Sequence, residues 1–163
     1  MPLWQVFHPK DTYSAEDKHG LAERITGLFT SSPMPAFYVV VIYIEVGPDD
    51  YYVGGEKLKK TFIRFKVDQM ANTFANQMLK EWWMRHVQRA VAPYVSDRGY
   101  DSEVQIDEPG RDLWNINGVA PPPFGSVGEQ AWIKENRVMP YTEDDKLPLN
   151  SSYARRSATE RTP

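Results

Sequence analysis

The amino-acid sequence predicts an α+β fold in which one sheet is backed by two helices on one face. Apolar segments of strand length alternate with longer segments of helical periodicity, in the order strand, helix, strand and again strand, helix, strand. The chain has 163 residues, of which 41% are apolar and 13% aromatic, and this is enough to bury the core of one domain. We therefore expect two β-α-β units in one domain.

The first half of the chain predicts the first unit. Leu3 to Phe7 form a short apolar and aromatic run that is typical of a strand. Ser14 is placed to be the N-cap of a helix, with Asp17 at the acidic position of a capping box. Apolar residues then recur at helical spacing, at Leu21, Ile25 and Leu28. Phe37 to Val46 is nearly continuously apolar, so we expect a second strand that is covered on both faces.

The second unit follows from the next segments. Thr61 to Val67 alternates apolar and polar residues, as a strand with one buried face does. From Asp68 to about Ala92 the sequence favours a long helix, which Pro93 ends. Its apolar stripe would consist of Met70, Phe74, Met78 and Trp82. Val104 to Ile106 is expected to be the last strand of the sheet.

The C-terminal part of the chain has a different composition. The segment LWNINGVAPPPFG is rich in proline and glycine, and a short helical piece follows from Glu129 to Glu135. The final residues, SSYARRSATERTP, have no periodicity. We therefore predict a domain over residues 1–140 and a C-terminal extension over residues 141–163 that is partly flexible.

Composition excludes several classes of function. The net charge of −3 and the scattered basic residues argue against nucleic acid as a partner, and no apolar run reaches the roughly 20 residues that cross a bilayer. Without cysteine, disulfides and thiol catalysis are excluded. The three histidines have no metal-ligand spacing, so we predict no metal and no cofactor. We expect a soluble, cytoplasmic protein that makes no contact with a membrane.

Pro2 is the candidate catalytic residue. A small second residue usually permits removal of Met1, which would leave Pro2 with a free secondary amine. An N-terminal amine has an ordinary pKa of about 7.7 to 8.0, and an apolar environment lowers that pKa. Such a group can take up and release protons near neutral pH, as a general acid/base must. Alternatively, Pro2 is an ordinary structural residue.

In their order along the chain, these features resemble the tautomerase superfamily, especially its cis-3-chloroacrylic acid dehalogenase-like group and the fungal branch of that group. The resemblance covers residues 2–140. It rests on Pro2 before a strand, the helix KHGLAERIT, the turn VGG at 53–55 and the segment LWNINGVAPPP at 113–123. It implies that Pro2 is the general acid/base. It also implies a homotrimer in which the sheets surround a central core, with active sites near the subunit boundaries.

At the other functional positions of the dehalogenases, the chain has different residues. The position of a histidine late in the first helix falls on Phe29, and those of two carboxylate-binding arginines fall on Gln69 and Asn72. A tyrosine falls near Gln105 and a water-activating glutamate near Asn115. An amide accepts no proton at neutral pH and carries no net positive charge. Efficient hydrolytic dehalogenation is therefore not expected.

Three residues outside these positions are further candidates. Arg64 could bind an anionic substrate if its face of the strand looks toward Pro2, or it could be a surface cation at a subunit contact. Arg111 could reach over the site from its loop or simply be exposed. Trp114 could line the pocket or pack into the core or an interface.

Two functional hypotheses follow. The first is an enzyme that catalyses keto-enol tautomerisation, or a related proton transfer or hydration, on a small unsaturated or 2-oxo carboxylic acid. Pro2 would relay the proton, while Arg64 and nearby amides would hold the anionic oxygens. The second is a trimeric protein of the same fold that binds a ligand or a protein partner without catalysis. The replaced family positions favour the second hypothesis, and the retained Pro2 favours the first.

Overall fold

A computed structural model describes residues 2–70 and 73–149 of the chain. Its longer strands are β1 (Pro2–Pro9), β2 (Val40–Val46), β5 (Phe62–Gln69) and β6 (Asp101–Asp107). Two short strands, β3 (Tyr52–Val53) and β4 (Glu56–Lys57), form a hairpin. The α-helices of the described part are α1 (Ala15–Thr30), α2 (Gln77–Val91) and α3 (Val127–Glu135).

The longer strands form one sheet in the order β2, β1, β5, β6. β1 and β2 are parallel and are connected through α1, while β5 and β6 are parallel and are connected through α2. The two units meet where β1 and β5 pair in antiparallel orientation. The predicted α+β class and the predicted order of two β-α-β units are therefore confirmed.

The two faces of the sheet differ in burial. Side chains alternate between the faces of a strand, and one set of alternate residues in β1 and β5 is buried in the core. This buried set consists of Pro2, Trp4, Val6, His8, Ile63, Phe65, Val67 and Gln69. The opposite face, which we call the open face, carries the half-buried Gln5, Arg64 and Lys66 and the exposed Gln105. Pro2 and Gln69 thus share the core face.

Helix α1 begins as the sequence predicts. The side chain of Ser14 accepts a hydrogen bond from the amide of Asp17 at 3.1 Å, and the carboxylate of Asp17 accepts one from the amide of Ser14 at 3.0 Å. This reciprocal capping box satisfies two amides that a helix start otherwise leaves unpaired. Leu21, Ile25 and Phe29 are the buried residues of the helix.

Helix α2 starts later than the sequence predicts. Asp68 and Gln69 complete β5, where they pair with Leu3 and Pro2, and the helix begins at Gln77 behind the N-cap Asn76. The side chain of Asn76 accepts a hydrogen bond from the amide of Leu79 at 3.0 Å. The prediction of a helix from Asp68 is therefore wrong, because strand pairing keeps this backbone extended.

The predicted apolar stripe of α2 is also wrong. Met78 is 70% exposed and Trp82 is 47% exposed, so neither is a core residue of the protomer. The residues that α2 does bury are Trp83, Val87, Ala90 and Val91. The four-residue spacing that suggested the stripe includes Met70 and Phe74, which lie between β5 and α2 and are not part of a helix.

Strand β2 differs from its prediction in two ways. It begins at Val40, because Ala36–Tyr38 form a short 3-10 helix after Pro35. It lies at the edge of the sheet, and Ile42 is 45% exposed. The prediction that this strand is covered on both faces is therefore wrong for the described chain, which leaves apolar surface open along this edge.

The segment after residue 140 packs back on the loop before α3 as far as the structure describes it. The hydroxyl of Tyr141 donates to the carbonyl of Ala120 at 2.7 Å, and the amide of Leu149 donates to the carbonyl of Gly125 at 3.2 Å. Most of the predicted flexible tail, residues 150–163, lies outside the described residues. Among the helices of residues 2–70 and 73–149, none has the length and apolar character needed to cross a membrane.

Candidate functional site

Pro2 and Gln69 lie directly opposite each other where β1 begins and β5 ends. Side chains at such paired positions have Cβ atoms roughly 4.5 to 5.5 Å apart in an antiparallel sheet. Pro2 is buried and Gln69 is 5% exposed. The Oε1 atom of Gln69 is a buried acceptor that receives no hydrogen bond from the described residues. The amide oxygen of Gln69 is therefore a buried acceptor beside Pro2 that is unpaired within residues 2–70 and 73–149.

A cavity of about 400 Å³ adjoins Gln69. It lies among the C-terminal end of α1, the segment before α2, the first turns of α2 and one residue of the proline-rich loop. Its lining residues are all uncharged, and they are Leu28, Phe29, Ser32, Met34, Gln69, Thr73, Phe74, Ala75, Leu79, Trp82, Trp83 and Phe124. This composition is typical of a small-molecule pocket with mainly apolar walls and a few polar groups.

Aromatic packing fixes the inner wall of the cavity. The rings of Phe29 and Trp83 are 5.1 Å apart at an angle of 60°, and Phe29 also contacts Trp4 edge-on at 6.4 Å. Edge-to-face contacts of this kind hold rings in one orientation. The indole Nε1 of Trp83 is buried and finds no acceptor within the described part of the chain. Gln69 and Trp83, which both line the cavity, therefore carry one buried acceptor and one buried donor without a partner among the described residues.

Glu108 anchors the segment that precedes α2. Its carboxylate accepts a hydrogen bond from the amide of Phe74 at 2.7 Å and forms an ion pair with Lys80 at 2.9 Å. The amide of Phe74, and next the ammonium of Lys80, hold the pKa of Glu108 below its usual range. The carboxylate is consequently ionised at neutral pH and helps to keep Phe74 in the wall of the cavity.

Comparison with known proteins assigns the chain to a family. Residues 1–137 match the family described as "Putative oxalocrotonate tautomerase enzyme". The chain belongs to the tautomerase superfamily. The resemblance inferred from Pro2 and the sequence motifs is thereby confirmed. No protein of curated function matches this tautomerase-family chain in sequence.

Two solved structures are similar to the tautomerase-family chain over most of its length. Native RhCC from Rhodococcus jostii RHA1 is 36% identical with a TM-score of 0.82, and the match covers 85% of this chain and 99% of RhCC. A protein from the thermophilic fungus Aspergillus fumigatus is 33% identical with a TM-score of 0.81, and the match covers 86% of this chain and 98% of that protein.

More distant structures share the fold. A member of the cis-3-chloroacrylic acid dehalogenase family is 16% identical with a TM-score of 0.64, and the match covers 82% of this chain and 97% of that one. A fused 4-OT, determined as an asymmetric trimer, is 17% identical with a TM-score of 0.57, and the match covers 72% of this chain and 94% of that one.

The tautomerase fold separates Arg64 from Pro2 within the chain. Arg64 pairs with Phe7, near the opposite end of β1 from Pro2, and its side chain lies on the open face. Its guanidinium forms an ion pair with Glu103 and donates to Oε1 of Gln105 at 2.8 Å. The condition under which Arg64 would bind a substrate beside Pro2 is therefore not met within the described chain. Gln105 lies on the same open face, away from the cavity.

The remaining predicted site residues either do not line the cavity or lie outside the residues that the structure describes. Trp114 is 5% exposed and packs edge-on against Tyr38 at 4.9 Å, with the guanidinium of Arg111 over its ring at 5.6 Å. Asn115 is exposed in the following loop. Asn72 lies outside the residues that the structure describes. Of the predicted set, Phe29 and Gln69 line the cavity, and Pro2 is the cross-strand partner of Gln69.

Phe124 is a cavity residue that the sequence reasoning missed. It follows three prolines in the loop after β6, and it is 50% exposed. Every other lining residue of the cavity is more than 40 positions away from it in the sequence, so no local periodicity could reveal its contact with the cavity. The available signal was a large apolar side chain inside a proline-rich loop, where polar residues are the usual choice.

Proposed function

We propose that the chain is a proton-transfer enzyme in which the amine of Pro2, once Met1 is removed, is the general acid/base. The reaction proposed is keto-enol tautomerisation of a small unsaturated or 2-oxo carboxylic acid. The observation that carries this proposal is the burial of Pro2 directly opposite Gln69, which lines a cavity of about 400 Å³. Membership of the tautomerase superfamily supports the same assignment.

The chemistry needs one group that both accepts and donates a proton. The neutral amine of Pro2 takes a proton from C3 of the 2-oxo acid, and the electrons of that C–H bond form the C2–C3 double bond. The electron pair of the carbonyl moves to its oxygen, which then receives a proton from the ammonium of Pro2. Burial in apolar surroundings favours the neutral amine near pH 7, and a positioned base of this kind accelerates such steps by roughly 10²- to 10⁴-fold.

Gln69 is proposed as a positioning residue for this step. Its Oε1 can accept a hydrogen bond from the ammonium of Pro2, while its amide nitrogen can donate to the oxygen on which negative charge develops. The indole Nε1 of Trp83 is a second donor in the same lining. These groups would replace the arginine pair of the dehalogenases with neutral hydrogen bonds.

Hydrolytic addition or dehalogenation is a poorer fit to this cavity. Such reactions need a base that activates water, and no lining residue carries a carboxylate or an imidazole in the described part of the cavity. We therefore propose tautomerisation as the principal reaction and expect at most weak dehalogenation.

We also propose that the active form is a homotrimer. The exposed apolar residue Ile42 on the edge strand β2 supports an interface there, as does the fold shared with the trimeric fused 4-OT. Arg64, on the open face, would then lie at or near a subunit contact. Light scattering after size-exclusion chromatography should give three times the mass of the processed chain, and a monomer at assay concentration would contradict the proposal.

The test of function is the ketonisation of phenylenolpyruvate by protein whose loss of Met1 has been verified by intact mass. The processed wild type should turn over, and Pro2→Ala, which still permits methionine removal, should lose most of the rate. Met78→Ala is the matched control, because Met78 is exposed and does not line the cavity. An inert wild type, or a Pro2→Ala variant of equal activity, would favour the hypothesis of a binding protein without catalysis.

A further inference from the structure

We propose that the cavity beside Gln69 binds an uncharged, ring-sized apolar group of the substrate, so that the enzyme prefers aryl-substituted 2-oxo acids to short-chain or dicarboxylic ones. This inference rests on the proposed function, because it assigns the substrate class of the same site.

The size of the cavity suits a ring. An apolar cavity of about 150 Å³ is large enough to hold benzene. The volume of about 400 Å³ found here leaves room for a phenyl group together with the C3 carbon to which it is bonded. A three- or four-carbon substrate would fill much less of this volume, and lost packing contacts weaken binding.

The chemistry of the walls selects an apolar group. Five of the lining residues are aromatic: Phe29, Phe74, Trp82, Trp83 and Phe124. Aromatic pairs gain energy beyond simple burial when they stack with an offset or meet edge to face. A second carboxylate buried in this cavity would lose its hydration without meeting a cation from the described lining.

The polar atoms of the lining residues determine the orientation of the substrate in the cavity. Gln69 and Trp83 are 5% and 8% exposed, and their unused Oε1 and Nε1 atoms are buried. The Nε1 donor of Trp83 and the amide nitrogen of Gln69 suit the oxygens of the oxo-acid end, which must lie near Pro2 to react, and the Oε1 of Gln69 suits the ammonium of Pro2. Trp82 and Phe124 are 47% and 50% exposed, so they form the rim of the cavity. The ring of the substrate would contact these two side chains, which are therefore proposed as specificity determinants.

The test compares three 2-oxo acids in one assay. Exchange of the C3 protons with deuterated solvent would be followed by NMR for phenylpyruvate, 2-oxobutanoate and oxaloacetate, with protein that lacks Met1. Wild type should have its highest kcat/KM with phenylpyruvate. Trp82→Ala and Phe124→Ala should each lower that value roughly 3- to 10-fold, as expected for one lost aromatic contact, and should change the value for 2-oxobutanoate less than twofold.

Two exposed apolar residues provide matched controls. Met78 lies on the same helix as Trp82, and Leu113, at 99% exposure, lies in the same loop region as Phe124. Neither lines the cavity, so Met78→Ala and Leu113→Ala should leave the substrate preference unchanged. Trp82→Phe should recover much of the activity with phenylpyruvate, because it restores a ring at the rim.

A binding measurement separates this inference from the proposed function. 3-Phenylpropanoate has no keto group and cannot enolise, but it carries the same ring. If no substrate exchanges and 3-phenylpropanoate still binds more tightly than butanoate in a manner that depends on Trp82 and Phe124, the cavity assignment stands and the proposed reaction fails. If exchange occurs equally well with all three acids and is insensitive to the rim variants, the reaction stands and the aryl preference is overturned.

Discussion

Pro2 and Gln69 are cross-strand partners on the buried face of the sheet, at the point where the two β-α-β units meet. This pairing depends on β5 continuing to Gln69, two residues beyond the predicted end of the strand. It places a buried amide with an unused oxygen beside the residue proposed to carry the proton. The side chain of Gln69 should therefore influence the protonation of the Pro2 amine.

A carboxylate in place of this amide should shift the pH dependence of catalysis. In Gln69→Glu, the negative charge would favour the ammonium form of Pro2 and raise its pKa. Because the neutral amine abstracts the proton, the rising limb of kcat/KM should move to higher pH, with activity reduced at pH 7 and recovered in alkaline buffer. Gln69→Leu should lower the rate without such a displacement. A pH–rate profile that is the same in wild type and Gln69→Glu would contradict the role given to this pair.

Gly20 marks a close approach between α1 and Tyr94. A methyl group at this position would overlap the hydroxyl of Tyr94. Alanine is favoured over glycine in a helix by roughly 1 kcal/mol, but overpacking costs about 1 to 3 kcal/mol. We expect Gly20→Ala to lower the free energy of unfolding by about 1 kcal/mol, measured by urea denaturation.

A double-mutant cycle isolates the cause of that loss. Tyr94→Phe removes the overlapping hydroxyl, so Gly20→Ala should be close to neutral in that background. If the cost of Gly20→Ala is the same with tyrosine and phenylalanine at position 94, the close approach is not its origin.

The capping box of α1 should contribute measurably to stability. Ser14→Ala removes the acceptor for the amide of Asp17, and the loss of an N-cap of this type costs about 1 kcal/mol. Ser14→Asn, which retains a capping oxygen, should restore most of it. Thermal unfolding of the three proteins checks this prediction, and equal midpoints would contradict it.

Glu129 should make the stability depend on pH. It is buried, with its Oε2 atom accepting a hydrogen bond from the amide of Gly125 at 2.6 Å, and burial raises the pKa of this carboxyl above its usual range. Between the unfolded pKa, about 4.3, and the raised folded pKa, the folded state binds more protons than the unfolded state. The contribution of Glu129 to stability therefore falls as the pH rises through this window.

Glu129→Gln removes that dependence and keeps an oxygen that accepts from Gly125. We expect the variant to be at least as stable as wild type at pH 7 and to lose any advantage as the pH approaches 4. Urea denaturation at both pH values is the measurement. A variant that is less stable at pH 7 than at pH 4, relative to wild type, would show that the carboxylate is stabilised and not penalised by its surroundings.

Local signals in the sequence predicted much of the fold. The alternation of TFIRFKV and the capping residues Ser14 and Asp17 act over a few residues, and the structure contains the strand and the helix that they indicate. The predicted start of α2 was wrong because Met70 and Phe74 have the same four-residue spacing as Met78. In the structure, Asp68 and Gln69 instead belong to β5, where they pair with Leu3 and Pro2. Tertiary pairing overrode a helical pattern here.

The site was less predictable than the fold. Pro2 was named from the chemistry of an N-terminal amine, and the family resemblance supported that choice. The positions of Gln69 and Phe29 came from the resemblance alone. Whether Arg64 faces Pro2 depends on the register between β1 and β5, because a shift of one residue moves a side chain to the other face of the sheet. The contact of Phe124 with the cavity depends on the path of a long loop, which no short-range pattern encodes.

The most direct measurement of the central claim is the mapping of a covalent adduct. The amine of Pro2 can add to the triple bond of a 2-oxo-3-alkynoic acid. No group leaves in this addition, so the mass of the modified chain rises by the full mass of the reagent. With protein that lacks Met1, we predict one adduct, located by peptide mapping on the nitrogen of Pro2, and loss of tautomerase activity in proportion to labelling. Modification at lysines alone, or full activity after complete labelling of Pro2, would contradict the account.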